Sequence, residues 1–155
     1  MGAVALALLS ATASACGAST PLPDVAELTA QLDRAHADSQ LATDAAGQAR
    51  GAIAMALTAL AAERLAHAKA LSDELVRIVG NDAPTTSPSG PTSTTAEAAT
   101  APTVKDVIGA LRQSGETAAE LAAKLSGYRA GLLGSIAAAC TAAFTVALVP
   151  PEAAR

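Results

Sequence analysis

Aromatic residues are nearly absent from this sequence: one Phe, one Tyr and no Trp in 155 residues. Without them there is no platform on which nucleic-acid bases could stack. Positive charge is also sparse. Ten Lys and Arg stand against fourteen Asp and Glu, a net charge of −4, and the basic residues are scattered. A chain of this kind has no surface for a phosphate backbone. Strand-favouring residues are too few for a sheet. With no strand, there is no Gly-rich phosphate loop of the strand–turn–helix kind. No Ser or Cys sits in a recognisable nucleophile motif with a base, and Cys140 has no cation near it in sequence to activate it. No enzymatic activity and no cofactor are therefore expected.

Alanine is what the sequence has instead, 43 residues of it. Alanine has the best intrinsic helix propensity, and its small side chain lets helices approach closely. The length is enough for one domain with a real core, and the expected fold is all-α.

Residues 1–15 read as a signal peptide. Residues 3–9 are an uncharged apolar run, small residues follow, and Cys16 comes next. The run is too short to cross a bilayer. The string "ASAC" resembles a bacterial lipobox, whose cysteine is acylated and becomes the mature first residue. It departs from that pattern at Ala13, where Leu is preferred, and no Lys or Arg precedes the apolar run. Ordinary signal-peptidase cleavage after Ala15 and an uncleaved apolar anchor are the alternatives. Each exports the remainder, and the lipobox reading anchors it to the outer face of the cytoplasmic membrane through Cys16. A Cys16–Cys140 disulfide is the further alternative for the two cysteines.

After a tether over 16–23, residues 24–149 read as four helices. Asp24 is the expected cap of the first. Val25, Leu28, Leu32, Ala35, Ser39, Ala42 and Ala46 recur at steps of three and four, one helical face. Gly47 and Gly51 bracket a turn. Ile53, Leu57, Leu60, Leu71, Leu75 and Ile78 mark a second face, ending near Gly80 and Asn81. Residues 80–102 are rich in Pro, Thr and Ser without periodicity, a flexible crossover and a candidate for O-glycosylation. So long a connection has a geometric reason if helices two and three run parallel. A helix of some 28 residues is about 40 Å long, and about 23 extended residues reach roughly 70 Å.

Val104, Val107, Ile108, Leu111, Ala118, Ala122 and Leu125 form the third face, with Gly127 at the next turn. Residues 130–149 carry no charge, and residues 150–155 are a tail begun by Pro150 and Pro151. A helix apolar all round is either buried or in lipid. Its Ala, Gly, Ser and Thr content gains little from lipid, so a central helix of the bundle is expected, with a transmembrane span as the rival.

Two helices, a long crossing and two more follow the plan of a ferritin-like four-helix bundle. The strings "AAERLAHAKAL" and "LSGYRAGLLGSIAAAC" also resemble an alanine-rich, ferritin-like family of actinobacterial exported proteins, many of them lipoproteins, generally of unknown function. The resemblance spans most of residues 24–149 and implies the fold. It carries no established site residues.

A dinuclear centre in such a bundle needs carboxylates from two helices and Glu-x-x-His from the other two. The inventory falls short. His36 falls within helix one's apolar stripe, with Asp33 and Gln40 on its flank. Glu63, His67 and Glu74 lie on one shoulder of helix two, at Glu-x-x-x-His spacing. Asp106, Glu116 and Glu120 of helix three point away from its apolar face, and helix four has no Asp, Glu or His. A helix-edge Glu63–His67 pair is the simpler reading. His36, Glu63 and His67 remain the candidates for a mononuclear metal site. Arg64 falls at the centre of its apolar face and calls for a carboxylate from another helix or subunit.

The expected function is a non-enzymatic envelope lipoprotein whose degenerate bundle binds or scaffolds. Its partners would be the membrane through the lipid, an envelope protein or small ligand, and a second copy through an Ala/Gly-rich face. The alternatives are a bundle that stores or senses a transition metal, and an integral membrane component spanning with residues 130–149.

Overall fold

The computed structural model describes residues 23–80, 83 and 101–149. The expected signal peptide, Cys16, most of the tether, most of the crossover and the tail lie outside these. The described residues are all-α, with four helices: α1 Pro23–Gln48, α2 Gly51–Val79, α3 Val104–Lys124 and α4 Gly127–Ala142.

The helix ends follow local chemistry. Proline is tolerated at a first helical position, where its missing N–H would have no partner, and α1 begins at Pro23. Asp24 is thus inside the first turn, not the expected cap, and its carboxylate receives Arg129 Nη1 instead. Gly47 lies within α1, and residues 49 and 50 join it to α2. Gly51, Gly80 and Gly127 adopt φ of 61°, 65° and 60° at helix junctions, where a side chain would be strained. Gly127 therefore separates α3 from α4. Thr103 and Asp106 form a reciprocal cap on α3: Thr103 N–H donates to Asp106 Oδ2 (2.8 Å), and Asp106 N–H donates to Thr103 Oγ1 (3.3 Å). At the far end, α4 widens into a π-helical turn, Ala143–Ala147, closed by Leu148 N–H to Ala143 O (3.0 Å). Arg112 of α3 lies over the Phe144 ring at 5.2 Å and holds this turn against its neighbour.

Contacts fix the helix directions. Glu27 and Asp24, early in α1, pair with Lys124 and Arg129 at the α3–α4 junction. Asp38, midway along α1, meets Ser114 midway along α3. The last turn of α1 shares a groove with residues 101–104. So α1 and α3 are antiparallel. The short turn makes α1 and α2 antiparallel as well, with Ser39 Oγ donating across the seam to Ala61 O (2.9 Å). Glu74, near the end of α2, lies 3.9 Å from Arg129 at the start of α4. Hence α2 and α3 finish at the same end and run parallel.

Each predicted apolar face turns inward. Leu28, Leu32 and Ala35 of α1, Leu57, Leu71 and Leu75 of α2, Val107, Leu111 and Ala118 of α3, and Leu133, Ile136 and Cys140 of α4 are buried in one core. The fourth helix departs from expectation. It packs along α3, touches α2 at few points, and buries only Leu133, Ile136 and Cys140 of its own sixteen residues. The apolar segment Gly127–Ala147 is long enough to cross a membrane, yet only 28 % of its most apolar stretch is buried. It is an edge helix rather than a central one. The reason is size: Ala, Gly, Ser and Thr make a segment hydropathic without giving it enough apolar bulk to demand burial on every side.

Candidate functional site

The centre of the core is polar. Arg64 is 1 % exposed, the largest fully buried side chain among the described residues. The carboxylate it calls for comes from α1. Arg64 Nε donates to Asp38 Oδ2 (3.1 Å), and Nη2 lies 2.9 Å from the same oxygen. That second approach is short but poorly aligned, which leaves Nη2 without a true acceptor. Ser114 Oγ of α3 donates to the same Asp38 Oδ2 (2.7 Å). Three helices are thereby tied at one carboxylate oxygen.

The fourth member is His67. Arg64 Nη1 stands 3.1 Å from its Nδ1. A guanidinium can only donate, so Nδ1 accepts and the ring proton sits on Nε2. Burial and then the neighbouring Arg64 charge push the His67 pKa down from 6.5 to about 4. His67 is neutral at neutral pH, and its protonation would cost Arg64 an acceptor.

That shift sets a pH dependence. Between about pH 6.5 and 4 the unfolded chain takes up a proton at His67 that the folded chain does not. The state binding more protons gains as pH falls, so the fold loses stability across this window. Solvent screening of the half-buried ring limits the loss to about 1–2 kcal/mol. Urea midpoints should fall from pH 7 to pH 5, and the fall should shrink in His67→Gln, whose amide oxygen still accepts from Arg64. An unchanged slope in that variant would assign the effect elsewhere.

Glu74 forms a separate cluster at the end of the body. It is 2 % exposed and accepts Arg77 Nη2 at Oε1 (2.6 Å) and Nε at Oε2 (2.7 Å). These bonds from Arg77 outweigh burial and hold its carboxyl below the usual range, with Arg129 adding in the same direction. Its stabilising effect is present above its unfolded pKa near 4.5 and is lost on further acidification.

The metal candidates do not converge. His36 is exposed, because it is one residue past Ala35 and so turned about 100° off the stripe that α1 buries. Glu63 is exposed, and His67 engages Arg64 instead of forming the expected edge pair with Glu63. Glu74 shares their side of α2, but only its end of the helix is roofed by Arg129 and the start of α4. Asp106, Glu116 and Glu120 are exposed on α3. Among the described residues no three of His, Cys, Asp and Glu are grouped to hold an ion.

Cys140 is free and buried, and burial pushes its thiol pKa up. Its Cβ faces Gly115, where an added Cβ would come within 3.3 Å. The shallow groove outside the network, about 280 Å³, is lined by Arg34, Asp38, Leu41, Gln113 and Ser114 among others.

What this arrangement does chemically is to neutralise itself. The charge of Arg64 meets Asp38, the hydroxyl of Ser114 completes that carboxylate, and His67 serves as an acceptor. Comparison with family models, with curated proteins and with solved structures gives no match.

Proposed function

We propose that this chain is a non-enzymatic cell-envelope protein, held by a lipid on Cys16 at the outer face of the cytoplasmic membrane, whose ferritin-like bundle serves as a binding or scaffolding module. The observation that carries it is the occupied centre. Where a dinuclear bundle places carboxylates from all four helices, this one has a buried arginine paired with one aspartate and one neutral histidine. Such a network specifies the packing of three helices. The parallel course of α2 and α3 supports the ferritin-like plan.

The test combines two measurements on protein purified from its native host. Fatty-acid labelling should be lost in Cys16→Ala, and bound transition metal should stay well below one equivalent per chain. Stoichiometric metal lost in both Glu63→Ala and His67→Ala would establish the metal-binding alternative instead. Label persisting in Cys16→Ala would remove the lipid anchor.

One observation favours a second reading, a membrane-spanning α4: the segment Gly127–Ala147 has the length and apolarity for it. Against it stands α3, which lies along α4 and exposes Arg112, Glu116, Glu120 and Lys124. Taking α4 into lipid would carry those charges with it or strip the helix from its neighbour.

A further inference from the structure

We propose that the outer face of α4 pairs with the same face of a second copy of this chain, antiparallel, about a two-fold axis near Ala138. This rests on the scaffolding reading and names its partner.

Charge points to self-association on this face. The chain is net −4, so two copies carry net charge of the same sign and repel weakly at long range. Residues 130–149 carry no ionisable group apart from the buried thiol of Cys140, so two such faces meet without repulsion. A strongly basic or acidic partner would gain nothing there. Lipid is also a poor occupant, because residues 130–149 have no Lys or Arg and the face carries large exposed apolar residues only at its two ends, unlike interfacial helices.

Shape agrees. Tyr128 and Val146 are 65 % and 73 % exposed, the two large apolar residues on this edge. They stand at opposite ends of the exposed edge, Tyr128 in the first turn of α4 and Val146 in the π-helical turn that follows it. Between them Gly131, Ser135, Ala138 and Ala142 are all small and exposed. The face is a saddle with a knob at each end. Reversing one copy sets Tyr128 of each against Val146 of the other and brings the waists together, where small side chains permit close helix approach. An interface between like copies must be self-complementary in this way. A strip about 30 Å long covers roughly half the area per partner of a standard interface, so the dimer should be weak, with Kd on the order of micromolar. Confinement to a membrane surface would favour such a contact.

The test is crosslinking of the full chain in its native envelope, with a short bis-maleimide and Cys at Ala138 (A138C) or at exposed Asp33 on α1 (D33C). The proposal expects a homodimer band from A138C, none from D33C, and a roughly fivefold or greater fall in that band when Tyr128→Ala is added. Tyr128 is exposed, so its truncation leaves the core untouched. Adducts of A138C with proteins of other mass would overturn the pairing while sparing the scaffold. Free reaction of A138C with a water-soluble maleimide, with no adduct of any mass, would overturn both. Reaction only with a lipid-phase probe would place α4 in the bilayer and likewise overturn both.

Discussion

Asp38→Ala should cost about 3–5 kcal/mol of folding stability, a large part of what a domain of this size possesses. Truncation removes the carboxylate that receives Arg64 Nε and Ser114 Oγ, yet leaves the guanidinium in place, 1 % exposed. An uncompensated buried cation is far more damaging than an absent ion pair. The double replacement Asp38→Leu with Arg64→Met should therefore recover most of the loss, since apolar side chains of similar length fill the same space without desolvating a charge. Thermal or urea unfolding of Asp38→Leu, Arg64→Met and the double variant gives the coupling energy directly. Additive losses in the double variant would show that Arg64 and Asp38 are stabilised independently, and the central role given to their pairing would fail. Ser114→Ala should cost only about 1 kcal/mol, because Asp38 keeps its arginine.

The chain announced that Arg64 needed a partner but not which one. The arginine stands out because Leu60, Ala61 and Ala68, three of its four neighbours at three- and four-residue spacing on α2, are apolar. Asp38 is harder to see. It falls between Ala35 and Ala42 at steps of three and four, the spacing that defines the buried stripe, and its neighbours there are alanines. A search for metal ligands passes over it and selects His36, the more conspicuous residue, although α1 turns that side to solvent. Placing each charged residue of α1 on the stripe would have found Asp38. Ser114 and Gly115 give no such signal, since small residues read alike inside and outside a helix. The four helices were legible because Leu, Val and Ile mark their inner sides, and the ends were legible where Gly80 and Gly127 need positive φ. The place of α4 was not legible. Its hydropathy comes from alanine, which pays little penalty on either side of the surface, so only the packing against α3 decides it.

That packing leads to the second large effect, in two glycines of one helix. Both Gly109 and Gly115 lie within α3, where glycine is unfavourable relative to alanine by about 1 kcal/mol. An added Cβ at Gly109 meets nothing within 4 Å, so Gly109→Ala should gain up to about 1 kcal/mol. At Gly115 the same atom would stand 3.3 Å from Cys140 Cβ and 3.6 Å from Ala137 O. Ala137 O belongs to the α4 backbone and cannot swing aside, and Cys140 is itself 1 % exposed. Gly115→Leu must therefore push α4 away from α3 and should cost about 3 kcal/mol or more, at the upper end of overpacking effects. The displaced helix also uncovers Cys140, whose thiol is otherwise slow to react because burial raises its pKa. Faster labelling of Cys140 in Gly115→Leu than in the unsubstituted chain, measured well below the unfolding transition, would show that the close approach at Gly115 is what keeps α4 seated. Equal labelling rates with equal stability would mean that α4 is held by Leu133 and Ile136 alone.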